Sequence, residues 1–223
     1  MSKNDAYRKN AQEFWNNFEN IKWFKDEAAP PYWIEFFKEY FGQKISVLDL
    51  GCGAGRNTEL LFKFDFDTYA SDFYKNMVDT TKKRLLAAGI NPKTVQKNVT
   101  QGDMLNIQFP NSFFDIVLSN GLFHNAYNLT ELDKSISEVS RVLKTNGRLC
   151  FNLFSSENVD SFKSLGNSVY VTKEGLIMTL ITALEFKDLC QKHGLNLESP
   201  IIQYQREVST GMRAIMRGVM VKA

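Results

Sequence analysis

Val47-Leu48-Asp49-Leu50-Gly51-Cys52-Gly53-Ala54-Gly55-Arg56-Asn57 decides the fold class of this chain. β-Prone apolar residues run into an acid, three alternating glycines follow, and Thr58-Glu59-Leu60-Leu61-Phe62 continues in a helix-like pattern. That order describes a buried strand whose carboxyl end turns sharply into a helix. Glycine accepts positive φ and puts no Cβ in the way of an approaching molecule. A ligand can therefore lie against the backbone in the crevice beyond the strand end, where open parallel sheets bind their ligands. Taken alone, the glycines also suit a plain strand-to-helix turn. The dinucleotide fingerprint spaces its glycines G-x-G-x-x-G. Here the third glycine comes one residue early, and Arg56 stands where that fingerprint has glycine.

Outward from the loop, strand-like and helix-like segments alternate as a βαβ architecture requires. Residues 45–50 read as the first strand and 57–63 as the helix after it. Residues 68–71 form a short second strand ending at Asp72, and 74–88 a helix with Met77, Val78, Leu85 and Leu86 on its apolar side. Val99-Thr100-Gln101 leads into Gly102-Asp103, and 114–119 is a compact apolar strand. Residues 129–143 follow a helical spacing through Leu132, Ile136 and Val139, with Gly147 in the C-terminal turn and a strand at 148–154. Residues 155–181 read as an insertion containing a hairpin, 168–172 and 176–181, around Lys173-Glu174-Gly175. A helix at 182–193 and strands near 201–205 and 214–221 close the chain. With no repeat or linker, residues 1–223 read as one domain.

Composition narrows the partners. The 223 residues are 43% hydrophobic and 23% charged, with 27 basic against 25 acidic residues and a net charge of +2. That suits a soluble α/β core and argues against nucleic acid, whose binding rests on clustered Lys and Arg. No run approaches the roughly 18 apolar residues of a membrane span. The polar start, Ser2-Lys3-Asn4-Asp5, has no apolar core behind it, so no signal peptide is expected. Cys52, Cys150 and Cys190 lack metal-like spacing, which points to free thiols in a reducing cytoplasm. Two histidines and no clustered carboxylates leave no expected metal site.

Two acids complete the pattern. Asp72 falls 21 residues after Gly51, where a carboxylate can accept the hydroxyls of a bound ribose. Such charge-assisted hydrogen bonds contribute roughly 1.5–3 kcal/mol. Aspartate also caps helices well, which is the alternative. Asp103 follows the third strand beside Met104, an acceptor next to a flat apolar side chain that suits an adenine. A surface turn would use the same aspartate.

In these residues the chain resembles the class I S-adenosylmethionine-dependent methyltransferases, over roughly residues 45–154. The resemblance rests on Val47 to Asn57, Asp72, Gly102-Asp103-Met104, Phe114-Asp115-Ile116-Val117 reaching His124, and Arg141-Val142-Leu143-Lys144 with Gly147. It implies a Rossmann-like, seven-stranded, mostly parallel sheet with helices on both faces and the last strand antiparallel. It implies S-adenosylmethionine as cofactor. Asp49, Gly51, Cys52, Gly53, Arg56, Asn57 and Asn120 would surround its methionine end, Asp72 and Phe73 the ribose side, and Asp103 with Met104 the adenine.

The reaction needs a nucleophile held in line with the methyl group, at roughly 3–3.5 Å, so a side-chain base is optional. His124 is the candidate base, because an imidazole with pKa near 6.5 can take a proton at neutral pH. Packing or loop anchoring is its other reading, and Tyr127 is a second candidate for orienting the substrate. His193, before Gly194, reads as a helix end. Residues 1–44 carry Trp15, Trp23 and Trp33 with Phe14, Phe18, Phe24, Tyr32, Phe36, Phe37, Tyr40 and Phe41. They read as a helical lid, with 155–181 as the opposite wall of a pocket for a small-molecule acceptor. A tRNA or protein methyltransferase, a non-catalytic cofactor-binding regulator and a nicotinamide oxidoreductase are the competing classes. Acceptor identity and oligomeric state are not legible.

Overall fold

The computed structural model describes residues 3–17, 19, 27–160, 162–208 and 211–223. Apolar runs pair in parallel at the centre of the main sheet: β1 (Ser46–Leu50), β2 (Asp67–Asp72), β3 (Val99–Gln101), β4 (Phe114–Asn120) and β5 (Leu143–Phe154). β11 (Gly211–Lys222) runs antiparallel to β5 on one side and to β10 (Ile202–Val208) on the other. The order is β10-β11-β5-β4-β1-β2-β3. A further short strand, β9 (Leu195–Leu197), continues the β10 edge of β11. The sheet is therefore the expected mostly parallel one, with the last strand antiparallel and its outermost C-terminal position shared by two strands.

A parallel sheet must be covered on both faces. On one, Val47, Ile116, Leu118, Cys150 and Val219 pack against Trp33 and Phe37 of α2 (Pro31–Lys38) and Leu61 of α3 (Arg56–Lys63). On the other, Leu48, Val117, Leu149, Phe151 and Met216 pack against α6 (Leu129–Val142) and α7 (Ala183–Lys192). α7 starts on a capping box: Thr182 accepts from Glu185 N, and the Glu185 carboxylate accepts from Thr182 N. α4 (Lys75–Ala87) buries Met77, Val78 and Leu85 as the periodicity expects, but Leu86, placed on the same side by that reading, turns out to solvent one step further around the helix.

The differences from the sequence reading have local causes. α5 (Pro92–Asn98) is short and polar, so periodicity hides it, although Asn91 caps it and Pro92 starts it. Strand β5 begins at Leu143, and its register against β4 shifts between Phe114 and Ile116. The left-handed residue in that irregular stretch is Asn146, φ 63°, where Gly147 was expected to serve as the turn glycine. Gly147 is constrained by space: a Cβ there would lie 2.8 Å from the Lys144 carbonyl oxygen. The expected hairpin, β7 (Val169–Val171) and β8 (Ile177–Thr179), gains a third strand, β6 (Lys163–Gly166). All four residues of β6 are exposed, so they carry no alternation to read.

Because Phe37 is fully buried beneath the sheet, Phe37→Ala should cost about 3–5 kcal/mol, read as a lower urea midpoint with unchanged slope. A cost under about 1 kcal/mol would show that α2 is not part of the core.

Candidate active site

The end of β2 holds the glycine loop. The Ser71 carbonyl accepts from Gly51 N at 2.8 Å and Cys52 N at 3.0 Å. Asp72 Oδ2 accepts from Gly53 N and Oδ1 from Tyr74 N, both at 2.9 Å. Gly51, Gly53 and Gly55 have φ of 77°, 53° and 82°, the left-handed region. At Gly53, and at Gly121 after β4 (φ 86°), nothing among the described residues lies within 4 Å of where a Cβ would be. The backbone is thus open to a ligand on both sides of the crevice.

Beneath the loop, Asp49 is 1% exposed and accepts from Thr58 Oγ1 at 2.6 Å. Burial pushes its carboxyl up to about 7, the Thr58 hydroxyl opposes this, and the Asp72 charge adds to it. Burial likewise raises Asp72, against its backbone N–H partners. Asn57 in the first turn of α3 is buried, and its Oδ1 has no hydrogen-bond partner among the described residues. Arg56 pairs with Glu27, and its pKa falls to about 10 through burial and then the charges of Arg206 and Arg84. The Cys52 side chain packs with Ala70, Val78 and Leu85, and burial drives its thiol up.

At the far side of the crevice, Asp103 Oδ1 accepts from Leu105 N at 2.8 Å, and Met104 packs on the core. Phe73 is exposed, its ring edge-on to Tyr74 at 5.3 Å. Asn120 Oδ1 accepts from the Trp33 indole at 2.8 Å.

His124 is buried and stacked on Phe154, ring centroids 4.0 Å apart, and its Nδ1 accepts from Phe154 N at 3.2 Å. Burial and then the Arg213 charge lower its pKa to about 3, so it is neutral and weakly basic. Tyr127 lies beneath Arg8, 4.3 Å from the guanidinium carbon to the ring centroid, and burial raises its phenol. His193 is the C-cap of α7 and bonds Asp133 at 2.9 Å.

The expected lid divides. Whereas α2 belongs to the core, α1 (Lys3–Asn16) rests on the rim. Arg8 pairs with Glu131 at 2.7 Å, and Asn76 donates to the Trp15 carbonyl at 2.7 Å. A Cβ on Gly175 would sit 2.8 Å from Asn10 Nδ2, so α1 meets the turn of the insertion. Phe18, Trp23 and Phe24 lie outside the described residues. Sequence reading missed Asn152, Tyr204 and Arg217, which continue the site along the sheet. An arginine inside the apolar run 214–220 was the available signal.

Residues 48–151 match the model of a methyltransferase domain family. The tRNA N(3)-cytidine methyltransferase METTL6 of Mus musculus is 28% identical over 186 residues, covering 78% of this chain and 65% of that protein. The demethylmenaquinone methyltransferase of Leptospira interrogans is 32% identical over 139 residues, covering 60% of this chain and 50% of that protein. The chain thus spans just under two thirds and one half of these relatives. Among solved structures, an S-adenosylmethionine-dependent methyltransferase from Methanosarcina mazei superposes with TM-score 0.72 at 19% identity, covering 88% of this chain and 99% of that one. The 1,6-didemethyltoxoflavin-N1-methyltransferase of Burkholderia thailandensis, with its substrate and S-adenosylhomocysteine bound, gives TM-score 0.70 at 16% identity, covering 100% and 92%. Residues 48–151 thus resemble a methyltransferase domain, and the sheet order and glycine loop give the chain the Rossmann-like fold of the solved methyltransferases.

Proposed function

We propose that this protein moves a methyl group from S-adenosylmethionine to an oxygen or nitrogen of a small molecule, chiefly by positioning the two. The observation that carries the reading is an open backbone cradle at Gly53 and Gly121, flanked by Asp72 and partly roofed by α1 where it meets the insertion. A cleft of about 290 Å³, lined by Asn10, Glu13, Phe14, Asn17 and Glu174, lies where α1 meets the insertion. The quinone relative and the toxoflavin enzyme are named for small acceptors, which agrees with such a roof. The mouse relative is named for tRNA. The near-neutral charge of this chain gives that second reading no support.

The cradle suits the cofactor. Asp72 spends one lone pair of each oxygen on backbone N–H groups and keeps acceptor capacity for ribose hydroxyls. The unmet Asn57 Oδ1 is a buried acceptor awaiting a donor. Asp49, Gly51, Gly53, Arg56 and Asn120 would surround the methionine end, and Asp103, Met104 and Phe73 the nucleoside. Cys52 would contribute backbone only, because its thiol faces the core. Bound there, S-adenosylmethionine supplies a methyl carbon already activated by a cationic sulfur. The chain's part is to hold the acceptor in line and to exclude water. His124 anchors the segment after β4 against Phe154 and takes no proton at neutral pH. The acceptor's proton, where it has one, leaves through solvent or through a group of the acceptor itself.

Calorimetric titration of S-adenosylmethionine should show binding that weakens about tenfold or more in Asp72→Ala, with NAD giving no heat. Absence of S-adenosylmethionine binding would sink the reading. Release of S-adenosylhomocysteine with bulk tRNA, and with no small acceptor, would move it to the second one.

Asp49 yields a separate prediction. An unfolded aspartate ionises near pH 4, whereas buried Asp49 keeps its proton until about 7. Its contribution to stability is therefore present below about pH 4, declines as pH rises, and is lost above about 7. Asp49→Asn should gain stability relative to the wild type over that window, by up to about 4 kcal/mol. Melting of both proteins without cofactor from pH 4 to 8 checks this; parallel curves would refute it.

A further inference from the structure

Arg217 stands in the run Ala214-Ile215-Met216-Arg217-Gly218-Val219-Met220 of β11, whose other side chains are buried. In register it lies beside Asn152 of β5, which lies beside Asn120 of β4. Residues paired in this way share one face of a sheet. It is the face that carries Leu118, Cys150 and Val219 one step further from the crevice. The row starts at the glycine loop, because Asp49 pairs with Leu118, two residues before Asn120. Neighbouring strands are roughly 4.8 Å apart, so three steps from the loop to Arg217 span about 14 Å.

Two tyrosines flank the guanidinium. Its Cζ lies 3.9 Å from the Tyr32 ring centroid and 4.9 Å from that of Tyr204. A guanidinium held against ring faces keeps N–H groups free to donate at its edge. Among the described residues no carboxylate pairs with Arg217, and its Nε is buried without an acceptor. A buried donor of this kind is costly unless a ligand meets it. The neighbouring polar groups are already oriented. Asn152 Nδ2 donates to the Tyr204 hydroxyl at 3.1 Å, and the Trp33 indole fixes Asn120. Arg56 of the loop lies within electrostatic reach of Tyr204 and Arg206 on β10, which puts loop and strand on one side of the row.

We propose that Arg217 binds an anionic group of the methyl acceptor, a carboxylate or a phosphate, edge-on between Tyr32 and Tyr204. The acceptor then lies along Asn152 and Asn120 with its nucleophile at the glycine loop. This deepens, and rests on, the small-molecule methyltransferase reading above. Only a planar fork presents two parallel N–H bonds to such an oxyanion. The span, less the arginine's own length, suits an acceptor of one or two rings.

The test is calorimetric titration of 1-naphthoate, 1-naphthyl phosphate and the neutral 1-naphthamide, with and without S-adenosylhomocysteine. The wild type and Arg148→Gln should bind at least one anion about tenfold or more tighter than the amide. In Arg217→Met the preference should fall to within about twofold, and in Arg217→Lys, which keeps the charge and loses the fork, it should be intermediate. Whichever anion binds tighter identifies the oxyanion, and either one upholds the site. Equal binding of all three, no binding of any, or a preference that survives in both Arg217 variants would overturn it. Arg217→Lys carries the test if Arg217→Met does not fold. S-adenosylhomocysteine binding is measured on every protein. Its absence from the wild type, with an anion preference that still tracks Arg217, would fail the methyltransferase reading and leave the anion site standing.

Discussion

The grip of β2 on the glycine loop is the constraint from which the site is built. Three left-handed glycines turn the chain through the crevice, and such a turn has few backbone partners of its own. The Ser71 carbonyl and the Asp72 carboxylate supply them, taking the N–H groups of Gly51, Cys52 and Gly53. Asp72 also takes Tyr74 N, so one side chain fixes the loop and the approach to α4 together. Being held from two directions, its remaining lone pairs have a set orientation before any ligand arrives. That preorganisation costs stability: Asp49 is buried and Asp72 half-buried, and the Asp72 charge adds to the burden of charging Asp49. Destabilised groups gathered at one loop are what a binding site looks like when its partner has yet to contribute.

The same logic explains why an aromatic segment precedes the first strand. β11 and β5 extend the sheet beyond the reach of α3, and their face needs cover. α2 supplies it with Trp33 and Phe37, both fully buried. Its N-terminal turn then stands over the crevice, with Trp33 on Asn120 and Tyr32 on Arg217. One helix thus fills the core with one turn and lines the site with the next. α1 meets the rim through Arg8, Asn76 and the Asn10–Gly175 approach, with Trp15 tilted on Tyr74.

What the sequence made legible was local. The strand, the alternating glycines, Asp72 and the helix after them lie within 26 residues of one another, and their chemistry can be read without knowing which strands pair. Short polar elements escaped because periodicity needs apolar residues to mark it: α5 has Val95 as its only buried apolar side chain, and β6 has none. The row Asn120, Asn152, Arg217 escaped for another reason. Its members are brought together by the β4–β5 and β5–β11 registers, and their rings by the docking of α2 and β10. No spacing rule connects positions 32, 120, 152, 204 and 217. Nor does the chain around His124 disclose that Phe154 will stack on it and that burial will strip it of basicity.

These two kinds of information divide the molecule by task. The segment that matches the methyltransferase domain family, 48–151, contains the loop, Asp72, Asp103 and Asn120. Tyr32, Trp33, Asn152, Tyr204 and Arg217 all fall outside it. The half of the sheet proposed to cradle the methyl donor is therefore the half that matches the methyltransferase domain family. The half proposed to seat the acceptor is built from α2, the end of β5 and the last two strands, which a match to the donor side does not constrain. Acceptor identity must then be sought in the charge and register of the C-terminal edge, where Arg217, with no carboxylate partner among the described residues, stands in an apolar strand.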